Sequence, residues 1–174
     1  MTIHRHQLTD YPSHEYLHEL FTYVDGQLYW KESRYRGKNQ RSISEPAGGP
    51  DKKNSNDAYM RICIDQKRYL THRLIFLYHH GYITEFIDHI DGNRKNNRIE
   101  NLRVATRQQN GYNRKSTSST GIKNVYHRGN GIYRVIFHIG GKPKIVGNYN
   151  SLDIAAKVAR EFREMNHGEF AKHN

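Results

Sequence analysis

The sequence predicts an α+β fold built as two small units in one chain. Three observations carry this reading: short runs of period-two alternation closed by Gly, Asn and Asp turns, stretches with apolar residues at helical spacing, and an apolar-free run, Lys-Ser-Thr-Ser-Ser-Thr, from Lys115 to Thr120. A chain of 174 residues accommodates two cores, since domains can be as short as about 50 residues. The expected organisation is a helix, strand and basic loop over residues 1–57, a central core over 58–114, a linker over 115–120 and a C-terminal module over 121–174.

Taken in order, residues 14–24 place Leu17, Leu20, Phe21 and Val24 at the spacing of a short helix. Asp25-Gly26 turns the chain into a strand from Gln27 to Lys31. From Glu32 to Asn56 the sequence is basic, then rich in Gly, Pro, Ser and Asn, which reads as a long exposed loop. Tyr59 to Leu70 alternates Met60, Ile62 and Ile64 against Arg61 and Asp65, the pattern of a hairpin. Thr71 is the expected cap of a helix from His72 to His80, with Leu74, Ile75, Leu77 and Tyr78 inward and Gly81 as its stop. A strand then ends near Asp88-His89, followed by a polar loop, a short strand Leu102 to Ala105, and a helix capped by Thr106.

Beyond the linker, strands are expected at Val125 to Arg128, Tyr133 to Ile139 and Lys144 to Tyr149, joined by Gly129-Asn130-Gly131 and Gly140-Gly141 turns. Ser151 caps a last helix whose apolar stripe is Ile154, Ala155, Val158, Ala159, Phe162 and Met165. Alternation along the middle strand points Tyr133, Val135 and Phe137 toward that helix and leaves Arg134, Ile136 and His138 on the open face.

Composition narrows the function classes. With 28 Lys and Arg against 17 Asp and Glu, the formal charge is +11, which favours a polyanionic partner. No apolar run approaches the roughly 20 residues of a membrane span, and the first residues lack the apolar region of a signal peptide. The expectation is therefore an intracellular protein acting on nucleic acid without a membrane partner. Cys63 is the single cysteine, which rules out an internal disulfide and leaves nitrogen and oxygen ligands for any metal.

Hydrolysing a phosphodiester requires a water nucleophile, a base to deprotonate it and a cation to stabilise charge on the phosphate and departing oxygen. Asp88, His89 and Asn110 are the candidate set. Neighbours on a strand point to opposite sides, so Asp88 can face a metal while His89 reaches toward the scissile phosphate.

The ordered strings Ile87-Asp88-His89-Ile90-Asp91-Gly92-Asn93, Asn96-Asn97-Arg98-Ile99-Glu100-Asn101-Leu102-Arg103 and Thr106 through Asn110 resemble the HNH nucleases. The likeness is to the ββα-metal core common among phage homing endonucleases. The resemblance implies that Asp88 is a metal ligand, that His89 is the general base, and that Asn101 pins the loop by hydrogen bonds. Asn110 stands where many members place a last metal-binding His, and it offers an amide oxygen instead. One carboxylate and one amide suit a hard divalent ion, Mg²⁺ first and Mn²⁺ as a substitute. His72 is open to two readings, a residue lying over the active site or a structural histidine, while His79 and His80 favour a helix dipole.

Residues 120–171 resemble an AP2-type DNA-binding domain, through Gly121-Ile122-Lys123-Asn124-Val125-Tyr126, Gly131-Ile132-Tyr133-Arg134-Val135, Gly147-Asn148-Tyr149 and the helix running to Ala171. That resemblance implies a three-stranded sheet backed by one helix, with the sheet on double-stranded DNA. Lys123, Tyr126, Arg128, Arg134, His138, Lys142 and Lys144 are its expected contacts. Gly131-Ile132-Tyr133 also spells half of another nuclease signature, but no Tyr-Ile-Gly partner follows, so it reads as a turn entering a strand. The whole reads as a monomeric, metal-dependent DNA endonuclease of homing type. The competing reading is a catalytically silent DNA-binding or regulatory protein on the same scaffold.

Overall fold

In the computed structural model, which describes residues 10–32, 43–50, 59–112, 116, 118–171 and 173, the first helix is shorter than its apolar spacing predicts. Helix α1 spans His14–Leu20, buries Leu17 and Leu20, and is capped by Ser13, whose hydroxyl accepts the Tyr16 N–H at 3.1 Å. Phe21 and Val24, expected on that helix, lie instead on strand β1 (Phe21–Val24), paired antiparallel with β2 (Gln27–Trp30). The cause is the two-residue turn: Asp25 and Gly26 both take positive φ, 51° and 86°, the backbone that matches hairpin twist. A Cβ on Gly26 would come within 2.8 Å of the Arg98 amide nitrogen, so close approach as well as φ demands glycine there.

Of the exposed loop expected over residues 32–56, the structure describes Glu32 and 43–50, and most of these residues are exposed. Ala47 is buried, its N–H donates to the Leu28 carbonyl at 2.7 Å, and Gly49–Pro50 forms a two-residue strand, β3. Strands β3, β4 (Met60–Ile64) and β5 (Lys67–Leu70) make one antiparallel sheet in that order. Ile62 and Ile64 of β4 face inward, as alternation predicts.

Helix α2 covers Thr71–His80, with Gly81 as a left-handed stop whose N–H donates to Leu77 at 2.9 Å. Thr71 is not its cap. Pairing of β5 with β4 runs to Leu70, so the helix starts directly after the strand, and the Thr71 hydroxyl is buried without a hydrogen bond. Leu74, Ile75, Phe76 and Leu77 join Leu17, Leu20, Phe21, Leu28, Trp30 and Ile62 in the first core. Burial of each such side chain contributes about 1.5–3 kcal/mol. Against this core lies the hairpin of β6 (Phe86–His89) and β7 (Leu102–Ala105), which contributes Ile87 and Leu102.

By contacts the chain divides into two units, Met1–Thr106 and Arg107–Asn174. The division falls ahead of the expected linker, because α3 (Arg107–Tyr112) is tied into the second unit. The Tyr112 ring stacks on His167 with centroids 3.5 Å apart, and the Lys123 amine donates to the Tyr112 carbonyl. Of the linker, the Ser118 and Thr120 hydroxyls both donate to the Val125 carbonyl.

The second unit holds an antiparallel sheet, β10-β9-β8, formed by β8 (Val125–His127), β9 (Tyr133–Ile139) and β10 (Lys142–Tyr149). Helix α4 (Leu152–His167) packs on it, with Val125, Val135, Phe137, Ala155 and Ala159 forming the second core. Its apolar stripe is narrower than predicted, since Ile154 and Met165 are 55% and 76% exposed. In their place the core takes Arg163, 1% exposed, whose guanidinium donates to the Lys123 carbonyl and to Asn124 Oδ1. No helix among the described residues is long and apolar enough to cross a membrane.

Candidate active site

The β6–β7 register sets Asp88 opposite Arg103 and His89 opposite Leu102. Both β6 side chains end up buried, Asp88 at 5% and His89 at 4% exposure. Arg103 Nε and Nη2 donate to Asp88 Oδ2 at 3.2 and 3.1 Å, so the carboxylate is held in a cross-strand ion pair. His89 Nε2 lies 2.9 Å from the Oδ1 of Asn97, itself 4% exposed.

Burial pushes the His89 imidazole below its usual value, against the opposing effects of the Asn97 bond and of Asp91 and Asp88. The imidazole faces two further rings, His72 at 4.9 Å and Tyr59 at 6.1 Å between centroids. The Arg94 guanidinium lies 4.8 Å from the centre of the Tyr59 ring.

The connecting loop is organised by side-chain amides. Asn101 Oδ1 accepts the Asp91 N–H at 3.0 Å, while its Nδ2 donates to Asp91 Oδ1 at 2.9 Å and to the Asn96 carbonyl at 2.8 Å. Asn96 Nδ2 donates to Asp91 Oδ2 at 2.7 Å, and the Gly92 N–H closes the turn on the His89 carbonyl at 2.8 Å. Partial burial raises the Asp91 pKa, but the bonds from Asn96, Asn101 and the Asn93 N–H prevail and lower it. Replacing Asn101 with alanine removes three of these bonds at once. The expected result is a loss of about 1–3 kcal/mol, with faster hydrogen exchange at the 91–96 amides; unchanged exchange there would contradict it.

His72 is a buried residue of α2 and its ring neighbours that of His89. Burial first, then the charges of His89 and Arg73, lower its pKa to about 3. The unfolded chain protonates such a group below about 6.5, whereas the folded chain resists until about 3. Stability is therefore present above 6.5 and falls as pH drops through that window. Acid unfolding of the first unit should be shallower in His72→Phe, which retains a ring; an identical pH dependence in the variant would remove His72 from the account.

Asn110, on α3, is half-buried and belongs to the second unit. Among the described residues no three His, Cys, Asp or Glu side chains converge as a metal-holding group. The donor that Asp88 itself offers is a carboxylate, held here by the Arg103 guanidinium, and a carboxylate is a hard ligand of the kind that Mg²⁺ and Mn²⁺ take. A closed structural zinc site does not fit it.

On the open face of the second unit's sheet, Tyr126 pairs with Arg134 and Arg134 with Asn148, whose Oδ1 accepts the Arg134 Nε–H at 2.7 Å. His138 and Lys142 are exposed, and Arg128 follows β8 in the exposed turn. Two expected contacts lie elsewhere. Lys144 pairs with Phe137 and sits 5.4 Å from the Phe162 ring, on the helix-covered side, because the strand period fixes its face. Lys123 precedes β8 and gives its amine to Tyr112.

Asn97, Arg103, Tyr59 and Arg94 carry no signal in the sequence that by itself marks them as site residues. Arg103 was within reach, since antiparallel pairing of the two short strands puts it opposite Asp88. Asn97 sits in a loop whose conformation has no periodic signal.

Comparison with known proteins bears on this segment. Residues 69–112 match the HNH endonuclease family. The chain is 33% identical over 90 residues to Protein 3.8 of Escherichia phage T7, covering 50% of this chain and 74% of that protein. It is 36% identical over 91 residues to an uncharacterized HNH endonuclease of Acanthamoeba polyphaga mimivirus, covering 51% of this chain and 46% of that protein. No solved structure matches. The family match stops at Tyr112 and lends no support to the AP2 resemblance of the C-terminal unit.

Proposed function

We propose, from the premise that the chain belongs to one family with Protein 3.8 of Escherichia phage T7 and carries an HNH endonuclease domain at residues 69–112, that it is a metal-dependent endonuclease. Its substrate is double-stranded DNA, which it nicks or cuts at a preferred site in the homing manner. The observation that carries this reading is the buried bond between His89 and Asn97, beside Asp88 at the end of the β6–β7 hairpin.

An amide oxygen only accepts, so His89 Nε2 bears the hydrogen and the basic lone pair lies on Nδ1. Burial favours the neutral imidazole, the form a general base needs near neutral pH. In the proposed step Nδ1 takes a proton from water, the water oxygen bonds to phosphorus, the bond from phosphorus to the 3′ oxygen breaks, and the departing oxygen takes a proton from solvent to become the 3′-hydroxyl. A divalent cation, when bound, stabilises the charge that develops on the phosphate and the departing oxygen. Asp88 is the residue proposed to hold it, with Mg²⁺ the natural ion and Mn²⁺ a substitute. Asn101 keeps the loop, and with it Asn97, in place behind His89. The basic composition and the open sheet face, with Tyr126, Arg134, His138 and Lys142, supply the proposed grip on the duplex.

End-labelled duplex DNA incubated with the full chain and Mg²⁺ tests the reaction. The expected products carry 5′-phosphate and 3′-hydroxyl ends and do not form in EDTA. Products with 3′-phosphate ends, or cleavage that survives EDTA, would contradict the proposed attack.

A further inference from the structure

Helix α1 places two histidines one turn apart, His14 and His18, and both reach the C-terminal end of α2. Their Nε2 atoms lie 3.1 Å from each other, and 3.0 and 2.9 Å from the carbonyl oxygen of Tyr78. The three atoms form a nearly equilateral triangle of nitrogen, nitrogen and oxygen. The rings are fixed as well: His18 stacks on Tyr78 at 3.8 Å, and His14 meets His18 edge-on at 4.5 Å.

Part of this has an ordinary cause. Tyr78 lies in the last turn of α2, where carbonyls lack a partner within the helix, and one imidazole N–H would satisfy it. The carbonyl oxygen has a second lone pair that can accept the other imidazole, but this sets the two nitrogens only 3.1 Å apart. If both Nε2 atoms carry hydrogen, two donors crowd each other. If only one does, the other lone pair faces the carbonyl lone pairs. A cation opposite the three atoms uses all of them as donors.

The dimensions match that arrangement. Two ligands at about 2.1 Å from one ion, set at right angles, stand about 3.0 Å apart, whereas tetrahedral ligands stand about 3.4 Å apart. The observed edges of 2.9–3.1 Å are those of one face of an octahedron. Imidazole with oxygen selects Cu²⁺, Ni²⁺ and their neighbours over Mg²⁺. Both histidines are only half-buried, so water can complete the shell.

We propose that His14, His18 and the Tyr78 carbonyl form a site for a divalent transition-metal ion of octahedral or tetragonal preference, which clamps α1 to the end of α2. The site shares no residue with the Asp88–His89 centre and does not depend on its chemistry.

The test is titration of the tag-free full chain with NiCl₂, read by calorimetry and thermal melting, with MgCl₂ for comparison. Because the chain has 12 histidines, His14→Gln and His18→Gln are measured alongside; a glutamine amide can still donate to Tyr78. Binding of one Ni²⁺ with a raised melting temperature is expected in the parent, and a loss of about tenfold or more in affinity in either variant. Equal affinity and equal thermal shift in His18→Gln, or no Ni²⁺ binding by the parent, overturns the proposal. Electron paramagnetic resonance of the Cu²⁺-loaded parent decides independently of variant folding: coupling to two imidazole nitrogens is required, and a single coupled nitrogen refutes it.

Discussion

Replacing His89 with alanine is expected to reduce DNA cleavage by about 10²–10⁴-fold, the range contributed by a positioned general base, with binding to the same duplex retained. The imidazole that the structure sets beside His89 is that of His72. His72 is buried and its pKa is lowered to about 3, which makes it a much weaker base. Removing the ring also leaves the buried Asn97 Oδ1 without its donor, at a cost of about 1–3 kcal/mol. Cleavage should therefore be compared below the melting temperature of the variant. Retention of more than a tenth of parental activity in a folded His89→Ala chain would remove His89 from the base role.

Replacing Asp88 with alanine should damage stability and activity together, and the two effects can be separated. Asp88 and Arg103 are both largely buried and bonded across the hairpin. Removing one member of such a pair destabilises by about 3–5 kcal/mol, whereas replacing both with apolar groups is often neutral. Asp88→Ala/Arg103→Met is therefore expected to recover most of the stability lost in Asp88→Ala and none of the cleavage. Recovery of cleavage along with stability would mean that Asp88 acts only through the fold. A single variant as stable as the parent would mean that the ion pair is not what holds this hairpin.

The elements legible in the sequence are those whose signal is local and periodic. Strand β9 follows from alternation, and the α2 stop follows from Gly81. Where helix and strand signals compete, tertiary pairing decides. Phe21 and Val24 have helical spacing from Leu17, but the Asp25-Gly26 turn commits them to pair with Trp30 and Gln27. Arg163 shows the opposite case, a charged side chain in the core because the carbonyl of Lys123 and the amide oxygen of Asn124 meet it there. No pattern of apolar residues announces that.

At the candidate site, the adjacency of Asp88 and His89 at the end of a strand was readable, and it sets together the carboxylate and imidazole that the proposed hydrolysis would need. The ring environment of His89 was not readable. Tyr59 and His72 come from the edge of β4 and the first turn of α2, distant in sequence and joined only by the packing of the hairpin against α2. Asn97 was quoted only as part of a string, because whether an amide in a polar loop faces water or a buried imidazole depends on the closed loop, with Asn101 and Asp91 at its centre.

The central claim, that this chain breaks DNA through the Asp88–His89 centre, is tested most directly with supercoiled plasmid carrying the uninterrupted form of the encoding locus. Parent and His89→Ala chains are incubated with Mg²⁺ and with EDTA, and binding is followed in parallel by gel shift. The account predicts conversion to nicked circles by the parent in Mg²⁺ alone, with linear product where both strands are cut. Binding by the parent without any conversion in Mg²⁺ or Mn²⁺ would contradict it and identify a DNA-binding protein that keeps the scaffold without the reaction.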